Sequence, residues 1–301
     1  MALAEPARGH LAMLAFSALV AGSFSLGAMT ADQIAPVAVT AARFIIAIAV
    51  IGGFALATTG IPRSALAAPW RYLVLGLLFG LYFVLMFEGL KTAPAVSAAA
   101  VFTLTPVLSA GFGWLLLRQV TTPRMAAALA LGAGGALWVI FRADLAAFLR
   151  FEVGQGEAVY FWGCVAHAAY TPMVRRLNRG ESAVVFSLGM MVAALLLVSA
   201  WGWREIAETP WAELPPLVWG TLVYLGLFAS AATFVLLQYA SLRLPSAKVM
   251  AYTYLTPSWV ILWEVGLGHG APPGLVVVGV AMTAVALVLL LKDEGARPAR
   301  S

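Results

Sequence analysis

The sequence predicts an all-α polytopic membrane protein, with ten transmembrane helices arranged as two inverted five-helix repeats. Three observations predict it. The 301-residue chain is 62% hydrophobic and only 10% charged, with a mean hydropathy of +0.94, whereas a soluble domain carries about 25% charged residues. The tripeptide Leu-Thr-Pro occurs at Leu104-Thr105-Pro106 and again at Leu255-Thr256-Pro257, an offset of 151 residues. The basic residues concentrate in alternate connecting segments.

The same offset carries Pro94 onto Pro245, and an offset of 150 carries Gly76-Leu77 onto Gly226-Leu227. A repeat of half the chain length in so apolar a sequence points to a duplicated membrane protein, whose binding site lies between the halves. The repeats are 1–150 and 151–301. A bilayer core of ~30 Å needs about 20 apolar residues per helix, so ten spans take about 200 residues and leave short loops. That leaves no room for a soluble domain.

Charge-poor runs place the spans. Span one, 10–30, follows Arg8 and reads as a retained helix, because its run of about 20 residues exceeds the core of a cleaved signal peptide. Span two, 36–58, opens at Pro36 and carries Arg43; span three, 70–88, begins at Trp70. Span four, 94–117, opens at Pro94 and holds Pro106, and span five, 123–141, opens at Pro123. Span six, 157–175, carries His167, and span seven, 182–201, ends at Trp201. Span eight, 215–238, opens at Pro215; span nine, 245–266, opens at Pro245 and holds Pro257; span ten is 271–291. Proline suits a helix start, where its missing N–H costs least.

With the N-terminus inside, inner segments hold Arg8, Arg63, Arg71, Arg118, Arg124, Arg175, Arg176, Arg179, Arg243, Lys248, Lys292, Arg297 and Arg300. Outer segments hold Lys91, Arg142, Arg150 and Arg204. This is a positive-inside bias, with both termini cytoplasmic. Trp201, Trp203 and Trp211 on the outer side and Trp70 on the inner side suit interfacial anchors. Five spans per half is an odd number, so the second half inserts upside down, the architecture of many alternating-access transporters.

An ionisable group inside hydrocarbon is costly and is a functional candidate by default. Arg43 lies about 10 Å from the outer end of span two, at 1.5 Å per residue; it either binds a substrate carboxylate or snorkels outward to pair with Asp32. His167 shares a helix face with Tyr160, Cys164 and Thr171, and either meets substrate or proton or is satisfied by a neighbouring helix. Glu88 and Glu264 fall at outer helix ends and Lys248 near an inner one, where solvation or snorkelling is cheap.

Two aromatic stripes stand at helical spacing: Phe79, Tyr82, Phe83 and Met86 on span three, and Tyr252, Trp259 and Trp263 with Thr256 on span nine. They either line a cavity for planar ligands or pack helices together. Gly76-xxx-Gly80 and Gly226-xxx-Ser230, at equivalent positions, allow close helix approach. Pro106 and Pro257 each remove a backbone bond within a span, which favours a kink and frees carbonyls.

Other classes find little support. Cys164 is the single cysteine, so no intramolecular disulfide or Cys-rich metal site exists, and its apolar sequence neighbours suit packing. His10, His167 and His269 lie on distant segments without an HExxH motif, and there is no Walker motif. No metal or cofactor is expected. No selectivity-filter segment or charge ring is visible. The pI of about 9.6 comes from scattered residues rather than a basic stripe, so nucleic acid is not an expected partner. The expected partners are the lipid bilayer and a small-molecule substrate, with the chain acting as a monomer or a homodimer.

At these residues the chain resembles the drug/metabolite transporter superfamily, in its ten-helix EamA-type branch. The carrying pieces are Ala42-Arg43-Phe44, the stretches APAVSAAAVFTLTPVLSAGFGWLLL and LPSAKVMAYTYLTPSWVILWEV, and the twelve-residue Pro94–Pro106 and Pro245–Pro257 spacings. The resemblance covers nearly the whole chain. It implies export of amino acids, metabolites or toxic compounds across a bacterial inner membrane. The aromatic-rich spans also resemble the YddG-type aromatic amino-acid exporters. Where such families place a glutamate after each kink proline, this chain has Gln119 and Gly270, so a role for that glutamate does not transfer. In this reading Arg43 takes a carboxylate, while Phe79, Tyr82, Phe83, His167, Tyr252, Trp259 and Trp263 form the cavity and Pro106 and Pro257 the kinks.

Overall fold

The computed structural model describes residues 5–58, 60–150 and 152–292, and every regular element among them is helical. Arg297 and Arg300, counted in the charge bias, lie outside the described residues. The helices are α1 (Glu5–Thr30), α2 (Pro36–Thr58), α3 (Trp70–Leu90), α4 (Ala95–Phe102), α5 (Thr105–Leu117), α6 (Pro123–Ile140) and α7 (Leu145–Leu149). They continue with α8 (Gln155–Leu177), α9 (Ala183–Trp201), α10 (Trp203–Glu208), α11 (Pro216–Gly226) and α12 (Thr233–Ser241). The last three are α13 (Ser246–Ala251), α14 (Thr256–Gly266) and α15 (Gly274–Lys292).

Eight helical stretches among the described residues are long and apolar enough to cross a membrane. They are 7–30, 36–58, 70–90, 95–117, 123–140, 183–201, 216–241 and 274–292. The other two expected spans differ for separate reasons. The α8 helix is 23 residues long but carries Glu157, His167, Arg175 and Arg176, which lower its apolarity. The stretch 246–266 is broken into α13, a 3₁₀ turn over Tyr252–Leu255, and α14. Large side chains such as Ile45, Phe54, Leu77, Trp162, Leu196 and Leu262 are exposed, and such a surface suits lipid rather than water.

Both kink prolines break their helices. Pro106 and Pro257 each stand in the first turn of the following helix, α5 and α14, where their missing N–H has no partner to lose. Ahead of Pro106 the backbone tightens: Thr103 N–H bonds Ala100 O and Leu104 N–H bonds Val101 O, each at 3.0 Å. The two broken spans also begin alike, with Pro94 and Pro245 both at φ −58° and ψ 145°.

The stretch 216–241 is interrupted differently, by a π-helical turn over Leu227–Ala232. A widened turn loosens the α-helical ladder and is found most often at functional sites. Here it turns the Ala229 carbonyl and the Ser230 hydroxyl towards α2.

Helix contacts recur between the halves. The α3 helix packs on α9, and the stretch 216–232 packs on α2; α3 also packs on α8, as α12 packs on α1. The α5 helix packs on α8 and α13, α14 packs on α1 and α4, and α6 packs along α15. At the last crossing a Cβ on Gly135 would meet the Gly279 carbonyl and one on Gly279 the Gly135 carbonyl, so only glycine allows this approach.

Candidate functional site

Arg43 and the π-helical turn build the centre. Arg43 is fully buried on α2. Its Nε–H donates to Ser230 Oγ at 2.7 Å, and Nη2–H donates to the Ala229 carbonyl at 2.6 Å. Its guanidinium carbon lies 3.8 Å from the Phe83 ring centroid. Nη1 is buried and has no hydrogen-bond partner among the described residues. A cation–π contact of this kind contributes about 2 kcal/mol when desolvated, less than the several kcal/mol that a buried ion costs. The chemistry left over is the attraction of an anion.

A continuous aromatic cluster adjoins it. Phe79 lies 4.1 Å from Tyr170 and 4.5 Å from Phe234, centroid to centroid, and 5.3 Å from the imidazole of His167. Tyr82 lies 4.6 Å from Phe83 and 4.5 Å from His167, and its hydroxyl accepts the Tyr160 O–H at 3.2 Å. His167 is buried, is ringed by Phe79, Tyr82, Phe102 and Tyr170, and leaves Nδ1 unpartnered. Cys164 is buried and free one turn away. Aromatic rings touching edge to face in this way make a stiff, closely packed apolar cluster.

The structure thus brings Arg43, Phe79, Tyr82, Phe83 and His167 together. It places Tyr252, Trp259 and Trp263 elsewhere, against α1 and α11. The Tyr252 hydroxyl meets His10 Nδ1 at 3.1 Å, the Trp259 indole N–H donates to Ser17 Oγ at 3.2 Å, and the Trp263 ring crosses that of Tyr224 at 5.5 Å. Arg43 turns inward to the second half and not towards Asp32, which is exposed. Glu88 pairs with Lys91 at 2.8 Å on the surface, and Glu264 with His269 at 2.9 Å.

Phe234 and Gln238 are residues that the sequence did not single out, and Ser230 stood out only as a small residue for close helix approach. Their four-residue spacing puts them on one helix face, but a search for ionisable groups passes over an amide and a hydroxyl. The Gln119 side chain, at one of the positions where a glutamate would stand, accepts the Ser246 N–H at 3.2 Å. It caps α13 across the halves.

Two clefts open at opposite ends of α2. The cleft at its N-terminal end, about 490 Å³, is lined by Asp32, Lys91, Glu205 and Glu208. The cleft at its C-terminal end, about 450 Å³, is lined by Ser64, Arg179, Glu181 and Ser182. Beside this second cleft, buried Arg71 donates to Glu181 Oε1 at 2.6 Å and to the Leu177 carbonyl at 2.7 Å.

The chain matches the EamA-like transporter family twice, over residues 7–141 and 155–292, which together cover most of its length. It belongs to the EamA-like transporter family. The EamA-type chain is 24% identical over 269 residues to the uncharacterized transporter YyaM of Bacillus subtilis (strain 168), covering 87% of this chain and 86% of that protein. A solved crystal structure, 23% identical, superposes with a TM-score of 0.71 and covers 95% of this chain and 96% of its own; at that identity it shows a shared fold. This EamA-type protein is therefore a multi-pass membrane transporter, and Arg43 sits in its interior where the two matched segments meet.

Proposed function

We propose that this transporter exports amino acids, aromatic ones among them, across the bacterial inner membrane by alternating access. Its ten spans form two inverted repeats, 1–150 and 151–301, with both termini cytoplasmic. The observation that carries the substrate reading is Arg43: a buried guanidinium, bonded across the halves to Ser230 and Ala229, with Nη1 unpartnered beside a wall of rings. A carboxylate satisfies Nη1, and the adjoining aromatic cluster takes an apolar side chain.

Support for the inverted repeat comes from the paired helix contacts, the matching proline caps and the double family match. Support for alternating access comes from the place of Arg43 within α2, between the clefts at its two ends: separating the halves around it alternately from each cleft would expose it to each side. Purified protein in liposomes loaded with phenylalanine, tyrosine or leucine is expected to give saturable counterflow of the labelled amino acid. Absence of movement for every amino acid, with and without a pH gradient, would refute the reading.

A further inference from the structure

The cluster around Phe79 has a second hydrogen-bonding end. Gln238 is fully buried and donates its Nε2–H to the Tyr170 hydroxyl at 2.8 Å, while its Oε1 is buried and receives no hydrogen bond. His167 Nδ1, across the same rings, is buried and unpartnered as well. Ser230, which receives Arg43, and Gln238 stand on one face with Phe234 midway, eight residues apart along the π-helical turn and α12. The site therefore runs from an unpaired donor at Arg43, past the rings of Phe234 and Phe79, to an unpaired acceptor at Gln238.

We propose that Gln238 determines specificity: its Oε1 accepts a hydrogen bond from a donor at the far end of an aromatic substrate whose carboxylate rests on Arg43. This rests on the exporter reading above. A buried acceptor left unpaired costs its full desolvation, and native proteins keep such atoms where water or a ligand completes them. A hydroxyphenyl amino acid carries its carboxylate and its hydroxyl at opposite ends of a ring, and side-chain reach from both poles shortens the gap. Phe79, wedged between Tyr170 and Phe234 at 4.1 and 4.5 Å, occupies the place of the substrate ring and rotates aside to admit it.

The test is competition in proteoliposome counterflow, with tyrosine, phenylalanine and leucine as probes. Wild-type protein is expected to favour tyrosine over phenylalanine by about tenfold, the effect of one hydrogen bond. Gln238→Met and Tyr170→Phe, the second of which removes the anchor of the amide, each bring that ratio to about one. A purely structural role lowers both fluxes together and leaves the ratio unchanged. Equal handling of tyrosine and phenylalanine by wild-type protein, or a ratio that neither variant moves, overturns the role of Gln238 and leaves the exporter standing. Movement of none of the three amino acids overturns the exporter reading itself.

Discussion

Arg43 of the first half donates its Nε–H to Ser230 Oγ of the second at 2.7 Å, and this bond reaches across the chain's internal boundary between distant segments. The same guanidinium holds the Ala229 carbonyl and faces Phe83, so one side chain serves three fixed neighbours and keeps one N–H pair free.

A lysine cannot reproduce that fork, because a point ammonium lacks the planar spread of donors. Arg43→Ala is expected to lower amino-acid counterflow at least about 100-fold, the effect of losing a charge-assisted bond in the interior. Arg43→Lys should recover only part, remaining about tenfold below wild type. Initial rates at equal reconstituted protein measure both. A fully active Arg43→Lys would remove the guanidinium from the site.

Arg71 and Glu181 fix the N-terminal end of α3 to the turn before α9. Partial burial pushes the Glu181 carboxyl up, but the Arg71 guanidinium and the Arg179 N–H outweigh it and hold it below its ordinary 4.5. A carboxyl with a depressed folded value stabilises fully above the unfolded value and loses that contribution as pH falls through the folded one. Glu181→Ala should cost about 1–3 kcal/mol at neutral pH, since it removes the carboxylate from buried Arg71 and leaves that cation only the carbonyls of Ala67, Ala68 and Leu177. The melting difference between wild type and Glu181→Gln in detergent should stay constant down to about pH 5 and shrink below it. A difference that grows on acidification contradicts the pairing.

Gly135 and Gly279 let α6 and α15 touch backbone to backbone. Gly135→Val drives a side chain into the Gly279 carbonyl and should cost about 1–3 kcal/mol of stability. Gly111, on α5, is the control: a Cβ there meets nothing within 4 Å, and Gly111→Ala should change stability by no more than about 1 kcal/mol, in the stabilising direction. Detergent melting temperatures of the two variants separate packing from composition. Equal losses would mean that the crossing tolerates a side chain.

Much of this architecture is legible in sequence because bilayer length and helix period impose it. Each proline-opened span starts within a residue or two of its proline, and the Leu-Thr-Pro pair marks both broken helices. The π-helical turn at Leu227–Ala232 left no such mark: its LFASAA sequence is as apolar as its flanks, and its cause is tertiary, the seat of Arg43. The site was half legible for a related reason. Charge in hydrocarbon singled out Arg43, and helical spacing gathered Phe79, Tyr82 and Phe83. The same spacing equally fits Tyr252, Trp259 and Trp263, which pack against α1 and α11, and period alone does not say which helix a stripe faces. Gln238 and Ser230 carry no charge and break no pattern, so only the fold reveals them.

Thr105 and Thr253 bring the two broken spans together, with their Oγ1 atoms 3.1 Å apart. Each hydroxyl oxygen is one bond from its Cβ, so cysteines at these positions bring two sulfurs within reach of each other across the crossing. In a Cys164→Ser background, which removes the native thiol, the double variant Thr105→Cys/Thr253→Cys should oxidise within one chain. The bond joins α5 of the first matched segment to the 3₁₀ turn of the second, where the halves would slide if they rock as proposed. Transport by the oxidised protein should fall at least about tenfold, because the conformational step limits turnover, and dithiothreitol should restore it. Neither single cysteine variant should respond to oxidant. If a protein shown by mass to be fully cross-linked transports at the unoxidised rate, the halves do not move against each other at this crossing, and alternating access by rocking fails.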